Sequence, residues 1–134
     1  RKDSLNLKLI DFGLAMRWDQ SLNAELKKKG DKKIVGTVNM SLISLLLAPE
    51  ILNFDYDEKC DIWSLGVILY ILLSAAPPFD GENDKQILQC VKAMKSTSTV
   101  KGRNLVAEFA GVSKEAKDLI ARILVPAAKR ITLK

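Results

Sequence analysis

The chain has 134 residues, of which 48% are hydrophobic and 28% charged, so it is long enough for one compact domain and too short for two ordinary ones. That balance excludes wholesale disorder, a collagen repeat and a coiled coil. The net charge of +5 is a mild excess that suits anionic partners such as phosphates. No nucleic-acid partner is expected, because such binders cluster their basic residues more sharply.

Histidine is absent from the sequence, which excludes imidazole catalysis and histidine metal ligation from this stretch of chain. Cys60 and Cys90 lack the paired spacing of a metal site or a disulfide framework. Residues 1–4 are polar and no apolar leader segment follows them, so no signal peptide is visible. We therefore expect an intracellular, cytoplasmic and reducing setting.

The first predicted element is a short strand near the start of the chain. Leu5, Leu7 and Leu9 alternate with polar residues, which is the period of a half-buried strand, and Asp11 follows where the strand would end. Residues 17–47 then show no sustained period. Their basic stretch, residues 27–33, is either an anion site or a solvated loop.

The uncharged run at residues 62–76 predicts a buried helix near 59–75. Its 15 residues fall short of the roughly 20 that cross a bilayer, and Asp61 and Pro77 bound it. A helix that is apolar on every face belongs at the centre of a domain. We therefore expect a central core helix and no membrane span.

Two amphipathic helices are predicted at residues 84–95 and 113–124, with a loop at 96–112 between them. The second helix begins at Ser113, whose hydroxyl can cap it, and stops before Pro126. The apolar positions with helical spacing are Ile87, Leu88, Val91 and Met94 in the first helix, and Ala116, Leu119, Ile120, Ile123 and Leu124 in the second.

Four short motifs occur along the chain. Each is weak evidence alone, but their order is informative. They are Asp-Phe-Gly at residues 11–13, Ala-Pro-Glu at 48–50, Asp-Ile-Trp-Ser-Leu-Gly at 61–66 and Pro-Pro-Phe at 77–79. In this order and context the chain resembles a eukaryotic protein kinase, in which D-F-G and A-P-E bracket the activation segment.

The resemblance is most specific at residues 56–69 and 112–120, whose wording is similar to that of calcium-dependent and calmodulin-dependent Ser/Thr kinases. It implies a mainly α fold, a protein-kinase-like C-terminal lobe fragment with a short β segment before D-F-G. It also implies that residues 1–134 are a partial kinase domain, with the activation segment at 11–50 and a helical subdomain at 51–134.

The resemblance assigns the D-F-G residues to a nucleotide site. Asp11 would hold the Mg²⁺ that bridges the β- and γ-phosphates of ATP, since a hard cation needs an anionic oxygen ligand. Phe12 would pack under the site, and Gly13 would permit the backbone swing between active and inactive settings. Thr37 would help to position the catalytic aspartate, unless it is an ordinary loop hydroxyl.

Four other residues take structural roles by the same resemblance. Glu50 is similar to the A-P-E glutamate that pairs with an arginine near the last helix, and Arg130 is the candidate partner. Asp61 would accept hydrogen bonds from the backbone of the catalytic loop, and Trp63 would pack beneath the activation segment. The family's usual Asp-Pro turn before the arginine is replaced by Val-Pro-Ala-Ala at residues 125–128.

The motifs that carry the rest of kinase chemistry lie upstream of D-F-G in the family and do not occur here. They are the glycine-rich loop, the strand lysine, the helix glutamate and the H-R-D catalytic loop. We therefore expect these residues alone to bind no cofactor and to transfer no phosphate. The intact parent would use Mg²⁺ and ATP, act on a protein substrate, and include a smaller N-terminal lobe and a regulatory domain. Calcium or calmodulin dependence is implied by resemblance alone.

The activation segment departs from the family pattern G-T-x-x-Y-x-A-P-E. Ala48 comes six residues later than the pattern requires, and Met40 stands where the tyrosine belongs. The surplus residues 42–47 are either a real insertion that blocks or reshapes the substrate groove, or translated sequence absent from the mature message. Ile71 stands where some basophilic kinases carry a glutamate that reads a substrate arginine.

Two other classes of function remain open. A pseudokinase or scaffold would offer the apolar surplus segment to a partner, and it would lack the catalytic aspartate upstream. A basic helical domain would bind polyanions through residues 27–33, with strongly salt-dependent affinity. A truncated lobe would in addition expose apolar surface and self-associate.

Overall fold

The computed structural model describes residues 8–15, 45–53, 56–94, 99–100, 103–104, 109 and 111–133. The chain divides into two compact units, Arg1–Gly36 and Thr37–Lys134, and each is described by itself. The described fold is mainly α, as the sequence predicts.

The first unit contains a single 3₁₀ turn, Phe12–Leu14, in its described part. Ala15 closes the turn by donating its backbone N–H to Phe12 O at 3.0 Å. The predicted strand before Asp11 falls mainly on Leu5 and Leu7, which lie outside the described residues. Residues 8–10 are described and carry no strand.

The second unit is built around helix α1, Lys59–Ser74, close to the predicted range 59–75. The helix ends at Ala75, which adopts the left-handed conformation and donates its N–H to Ile71 O at 2.8 Å. The side chains that it buries are Ile62, Trp63, Val67 and Tyr70.

Helix α1 is not buried all round, and here the sequence-based expectation was wrong. Leu65, Ile68 and Leu72 are 59%, 43% and 77% exposed. They share one face because they follow the helical spacing i, i+3 and i+7. The described elements cover the opposite face, so a uniformly apolar helix is left with one apolar side in contact with solvent.

Two amphipathic helices follow, as predicted. Helix α2 is Asp84–Lys92 and helix α3 is Lys114–Ile123. Asn83 caps α2 by accepting a hydrogen bond from Gln86 N, and Ser113 caps α3 by accepting one from Ala116 N. The capping role predicted for Ser113 is therefore confirmed. Helix α2 ends three residues short of the predicted boundary at 95.

A two-stranded hairpin lies in the stretch that was expected to be loop. Strand β1, Thr99–Val100, pairs antiparallel with β2, Arg103–Asn104, in the register Thr99 with Asn104 and Val100 with Arg103. Strands of two residues are too short to show an alternating pattern, so they could not be predicted from the sequence.

The core lies where α1 crosses α3, and Gly66 permits the close approach. A β-carbon at Gly66 would lie 2.2 Å from Ile123 Cγ2. Ile120 and Leu124 of the α3 region are fully buried. Other buried members of the core are Ala48, Ile62, Trp63, Val67, Tyr70, Phe79, Ile87, Cys90, Val91, Met94, Phe109 and Ile123.

Among the described helices, none has the length and hydropathy that a bilayer crossing requires. The 16 residues of α1 span about 24 Å at 1.5 Å per residue, less than the roughly 30 Å of a hydrocarbon core.

Candidate functional site

Asp11 has an unusual backbone conformation for a residue with a side chain. Its φ of 62° and ψ of 66° place it in the left-handed region, immediately before the turn Phe12–Leu14. Its carboxylate makes no capping hydrogen bond to that turn, and the residue is exposed. Aspartate tolerates this region better than most residues, and such conformations concentrate at functional positions. Asp11 therefore presents a carboxylate that the local turn does not use.

Asp11 is suited to supply one carboxylate ligand of a magnesium site. Mg²⁺ is usually held by one or two carboxylates, with phosphate oxygens and water completing the shell. Within the described ranges, no group of three or more cysteine, aspartate or glutamate side chains could hold a metal ion. Asp11 is therefore a candidate for one ligand of such a shell, and the described residues form no closed metal cage around it.

The other two D-F-G residues are also exposed. Phe12 is 68% exposed, so its ring is not part of the described core. A β-carbon on Gly13 would lie 3.5 Å from Asp11 Oδ1, an ordinary van der Waals contact. Space alone therefore does not require glycine at this position.

Glu50 and Arg130 form an ion pair in the second unit. The two guanidinium nitrogens Nη1 and Nη2 donate to the two carboxylate oxygens, the second at 3.1 Å. The Arg130 side chain is fully buried and that of Glu50 is 9% exposed. This two-point geometry is specific to arginine and carboxylate.

The remaining donors of Arg130 are used as well. Nε donates to the carbonyls of Ile123 and Val125, Nη2 donates to Val125 O at 2.9 Å, and Nη1 donates to Lys59 O at 2.8 Å. A guanidinium has five N–H groups, and all five have acceptors here. Arg130 therefore joins the A-P-E segment to the first residue of α1 and to the end of α3.

Trp63 packs against the guanidinium of Arg130 in this junction. Its ring is fully buried and stacks on Phe79, with centroids 5.5 Å apart and planes 3° from parallel. The guanidinium carbon of Arg130 lies 5.0 Å from the Trp63 ring centroid, within cation–π range. The indole Nε1 is buried without an acceptor among the described residues, so stacking must offset the cost of that burial.

The segment that precedes Ala48 is held against α1. Leu45 and Leu46 are partly buried and pack on the core, and Ala48 is fully buried. Ser64 on α1 donates its hydroxyl to Leu46 O at 2.9 Å. The same hydroxyl lies 3.2 Å from Cys60 O, one helical turn earlier.

Asp61 makes few contacts in the described site. Asp61 is exposed at the start of α1, where its Oδ1 lies 3.8 Å from the Cys60 thiol. Burial raises the pKa of the Cys60 thiol to about 12, with a further contribution from the negative charge of Asp61. That thiol therefore stays protonated at neutral pH. Thr37 lies outside the described residues.

The structure brings Glu50, Trp63 and Arg130 into one cluster, whereas Asp11 belongs to the other unit. Sequence reasoning missed Ser64 as a contact residue. The available signal was its chemistry, because Ser64 is one of two serines in a run of 15 residues that carries no charge. A serine hydroxyl in such a run needs a hydrogen-bond acceptor when it is buried.

Comparison with known proteins agrees with this arrangement. The family described as "Protein kinase domain" matches residues 1–134. The chain therefore belongs to the protein kinase family. The solved structure of the twitchin kinase region from C. elegans is similar, with a TM-score of 0.68 and 33% identity, covering 98% of this chain and 20% of that one. The described fold is accordingly that of a protein kinase C-terminal lobe.

Curated relatives refine the assignment within the family. Calcium-dependent protein kinase 4 of Plasmodium falciparum (isolate 3D7) is 44% identical over 124 residues, which cover 92% of this chain. Calcium-dependent protein kinase 3 of Plasmodium berghei (strain Anka) is 42% identical over 126 residues, which cover 93% of this chain. The chain is similar to both of these calcium-dependent protein kinases, and it spans 20% of the length of each of them.

Proposed function

We propose that this chain is part of an enzyme that transfers the γ-phosphate of ATP to Ser or Thr hydroxyls of a protein substrate. The observation that carries the proposal is the exposed carboxylate of Asp11, held in a left-handed backbone conformation at the D-F-G motif. A left-handed L-residue costs about 1–2 kcal/mol, so a free carboxylate kept in that setting suits a ligand-binding role.

Asp11 would contribute a carboxylate oxygen to Mg²⁺, and the bound ion would neutralise charge on the β- and γ-phosphates. Phe12 and Gly13 would set the direction of that carboxylate through the turn they form. The cluster of Glu50, Trp63 and Arg130 would keep the end of the activation segment fixed relative to α1, which is a positioning role.

These 134 residues alone are proposed to be inactive. Kinase catalysis needs an aspartate base and a second metal ligand from the catalytic loop, and the H-R-D motif does not occur in this sequence. We expect no saturable binding of Mg-ATP when the chain is titrated by calorimetry. Saturable binding would contradict this part of the proposal.

The proposal includes calcium regulation and a cytoplasmic location, which the relatives and the thiols support. The names of the relatives support calcium-dependent activity for the whole protein. Calcium would act through a regulatory domain, either directly or through a calcium sensor such as calmodulin. Cys60 and Cys90 are both free, which supports a reducing, cytoplasmic setting. Arginine recognition through position 71 is not part of the proposal, because Ile71 packs against the core.

The test is phosphate transfer by the longest translated protein that contains these residues. Radiolabel from γ-labelled ATP is followed into a Ser/Thr peptide library, with calcium and with a calcium chelator. Asp11→Asn should lower the rate at least 100-fold, since one metal ligand is lost. Asp80→Asn is the matched control, because Asp80 is an exposed aspartate outside the D-F-G motif.

Activity that survives Asp11→Asn would overturn the role of Asp11. Calcium-independent activity would overturn the regulatory part alone.

A non-catalytic scaffold is the second candidate. It is favoured by the surplus residues 42–47 and by the exposed apolar face formed by Leu65, Ile68 and Leu72. Against it, Leu45 and Leu46 pack partly on the core rather than standing free for a partner. A parent without the catalytic aspartate upstream, and without phosphate transfer, would favour the scaffold.

A further inference from the structure

The contact between Ser64 and Leu46 has the properties of a reversible latch. The two residues are 18 positions apart, and the hydrogen bond joins a side chain on α1 to the backbone just before Ala48. A backbone carbonyl is present whatever the side chain, so this bond does not depend on the residue type at position 46. It therefore tolerates the departure of residues 42–47 from the family pattern.

The Ser64 hydroxyl has two acceptors within reach and one proton to donate. Leu46 O lies at 2.9 Å and Cys60 O at 3.2 Å. If the segment moves away, the hydroxyl can turn to Cys60 O, which is the ordinary local bond of a serine within a helix. Release therefore leaves no unsatisfied hydroxyl on α1.

The side chains of residues 45–47 also hold the segment only weakly on the core. Leu45, Leu46 and Leu47 are half-buried, so each contributes only part of the stabilisation of a core leucine. Ala48 and Glu50, a few residues further on, are anchored far more firmly by burial and by Arg130. The segment at 45–47 is thus the weakly held end of a firmly anchored element.

We propose that Ser64 is a positioning residue that docks residues 45–47 on α1 and lets them undock without disturbing the core. The docked and released states of this segment differ by one tertiary hydrogen bond and by the partial burial of its leucines. This property does not depend on phosphate transfer, so it stands or falls separately from the proposed function.

The test is native-state proteolysis of this chain with thermolysin, which cleaves before leucine and isoleucine. When opening and closing are fast, the cleavage rate follows the population of the open state. Ser64→Ala should speed cleavage at Leu45, Leu46 and Leu47 about fivefold, as expected for one neutral hydrogen bond. Cleavage before Ile87 in α2 reports global opening and should not change with it.

Two further variants separate the latch from a general helix effect. Ser74→Ala, also on α1, removes a hydroxyl that lies 2.8 Å from both Tyr70 O and Ala76 O, two acceptors nearby in sequence. It should leave cleavage at 45–47 unchanged. Ser64→Thr keeps the hydroxyl and should restore a rate close to that of the unmodified chain.

The proposal is overturned if Ser64→Ala leaves the cleavage rate at 45–47 unchanged. It is also overturned if cleavage before Ile87 rises by the same factor, since that would make Ser64 a general stability residue.

Discussion

Arg130 and Glu50 are joined by two parallel hydrogen bonds, although 80 residues of chain lie between them. Both side chains are buried, so the loss of either partner leaves a charge without its counterion. Lysine at position 130 would keep the charge but could not reach both carboxylate oxygens and three backbone carbonyls. We expect Arg130→Lys to lower the free energy of unfolding by about 1–3 kcal/mol, the cost of buried acceptors left without a donor, measured by urea denaturation.

Arg122→Lys is the matched control for this prediction. Arg122 pairs with Asp118 at 2.9 Å on the surface of α3, and their side chains are 63% and 56% exposed. An exposed i,i+4 pair contributes only about 0.3–0.5 kcal/mol, so the control should lose little. Equal losses in the two variants would show that the Arg130 cluster does not hold the fold together.

Gly66→Ala tests the crossing of α1 and α3. The added methyl would start 2.2 Å from Ile123 Cγ2 and 3.2 Å from Leu124 Cδ2, so the helices must move apart. Overpacking of this kind costs about 1–3 kcal/mol, and it opposes the roughly 1 kcal/mol that alanine gains over glycine in a helix. We expect a net loss of stability in thermal unfolding.

The double variant Gly66→Ala with Ile123→Ala gives the sharper result. Ile123→Ala removes Cγ2, the atom nearest to the new methyl, so the two losses should be less than additive. Additive losses would contradict a direct clash between these positions.

The sequence was a good guide to elements whose cause is local. The uncharged run predicted α1 to within one residue at its C-terminal end, and Ser113 marked the start of α3. It was a poor guide to contacts made by backbone carbonyls. The partners of Arg130 at Ile123, Val125 and Lys59 are carbonyl oxygens, which every residue possesses, so no side-chain pattern indicates them.

The sequence also could not predict which side chains of α1 are exposed. Leu72 is 77% exposed and Val67 fully buried, although both lie in the same uncharged helix. Which side of a uniformly apolar helix is covered depends on the elements around it, not on its own residues. The same holds for Gly66, whose need for glycine arises from Ile123, a residue 57 positions away on another helix.

Measurements at alkaline pH should detect the raised pKa of the buried Cys60 thiol. Its pKa is raised from 9.0 to about 12, mainly by burial and next by the charge of Asp61. The folded chain therefore holds this proton between pH 9 and 12 while the unfolded chain releases it, so the associated stability is present below pH 9 and is lost as the pH rises toward 12. Alkylation of Cys60 should stay slow at pH 9 in the folded chain.

The measurement uses iodoacetamide labelling in a Cys90→Ala background, so that a single thiol reports. The labelling rate of the urea-unfolded chain should be half-maximal near pH 9 and level off about one pH unit higher, whereas that of the folded chain should keep rising beyond that point. A folded-chain rate that is half-maximal near pH 9 would contradict the raised pKa. Urea denaturation at pH 8 and pH 10.5 should show a smaller loss for Cys60→Ala than for the unmodified chain.

Ala75→Gly is expected to stabilise the protein. Ala75 ends α1 with φ 56° and ψ 19°, a left-handed conformation that is unfavourable for alanine and free of that penalty for glycine. The residue is exposed, so no packing is lost with its methyl. After allowance for the larger entropy that glycine adds to the unfolded chain, a gain of about 0.5–1 kcal/mol should remain.

Ala93→Gly provides the matched comparison at the end of α2. Ala93 is also an exposed C-cap alanine, but its φ of −73° and ψ of −9° are right-handed, so glycine relieves no strain there. This variant should lose about 0.5–1 kcal/mol, because only the unfolded-state entropy changes. Thermal unfolding of the two variants should therefore shift in opposite directions. A shift in the same direction would show that the backbone conformation of Ala75 does not limit the stability of α1.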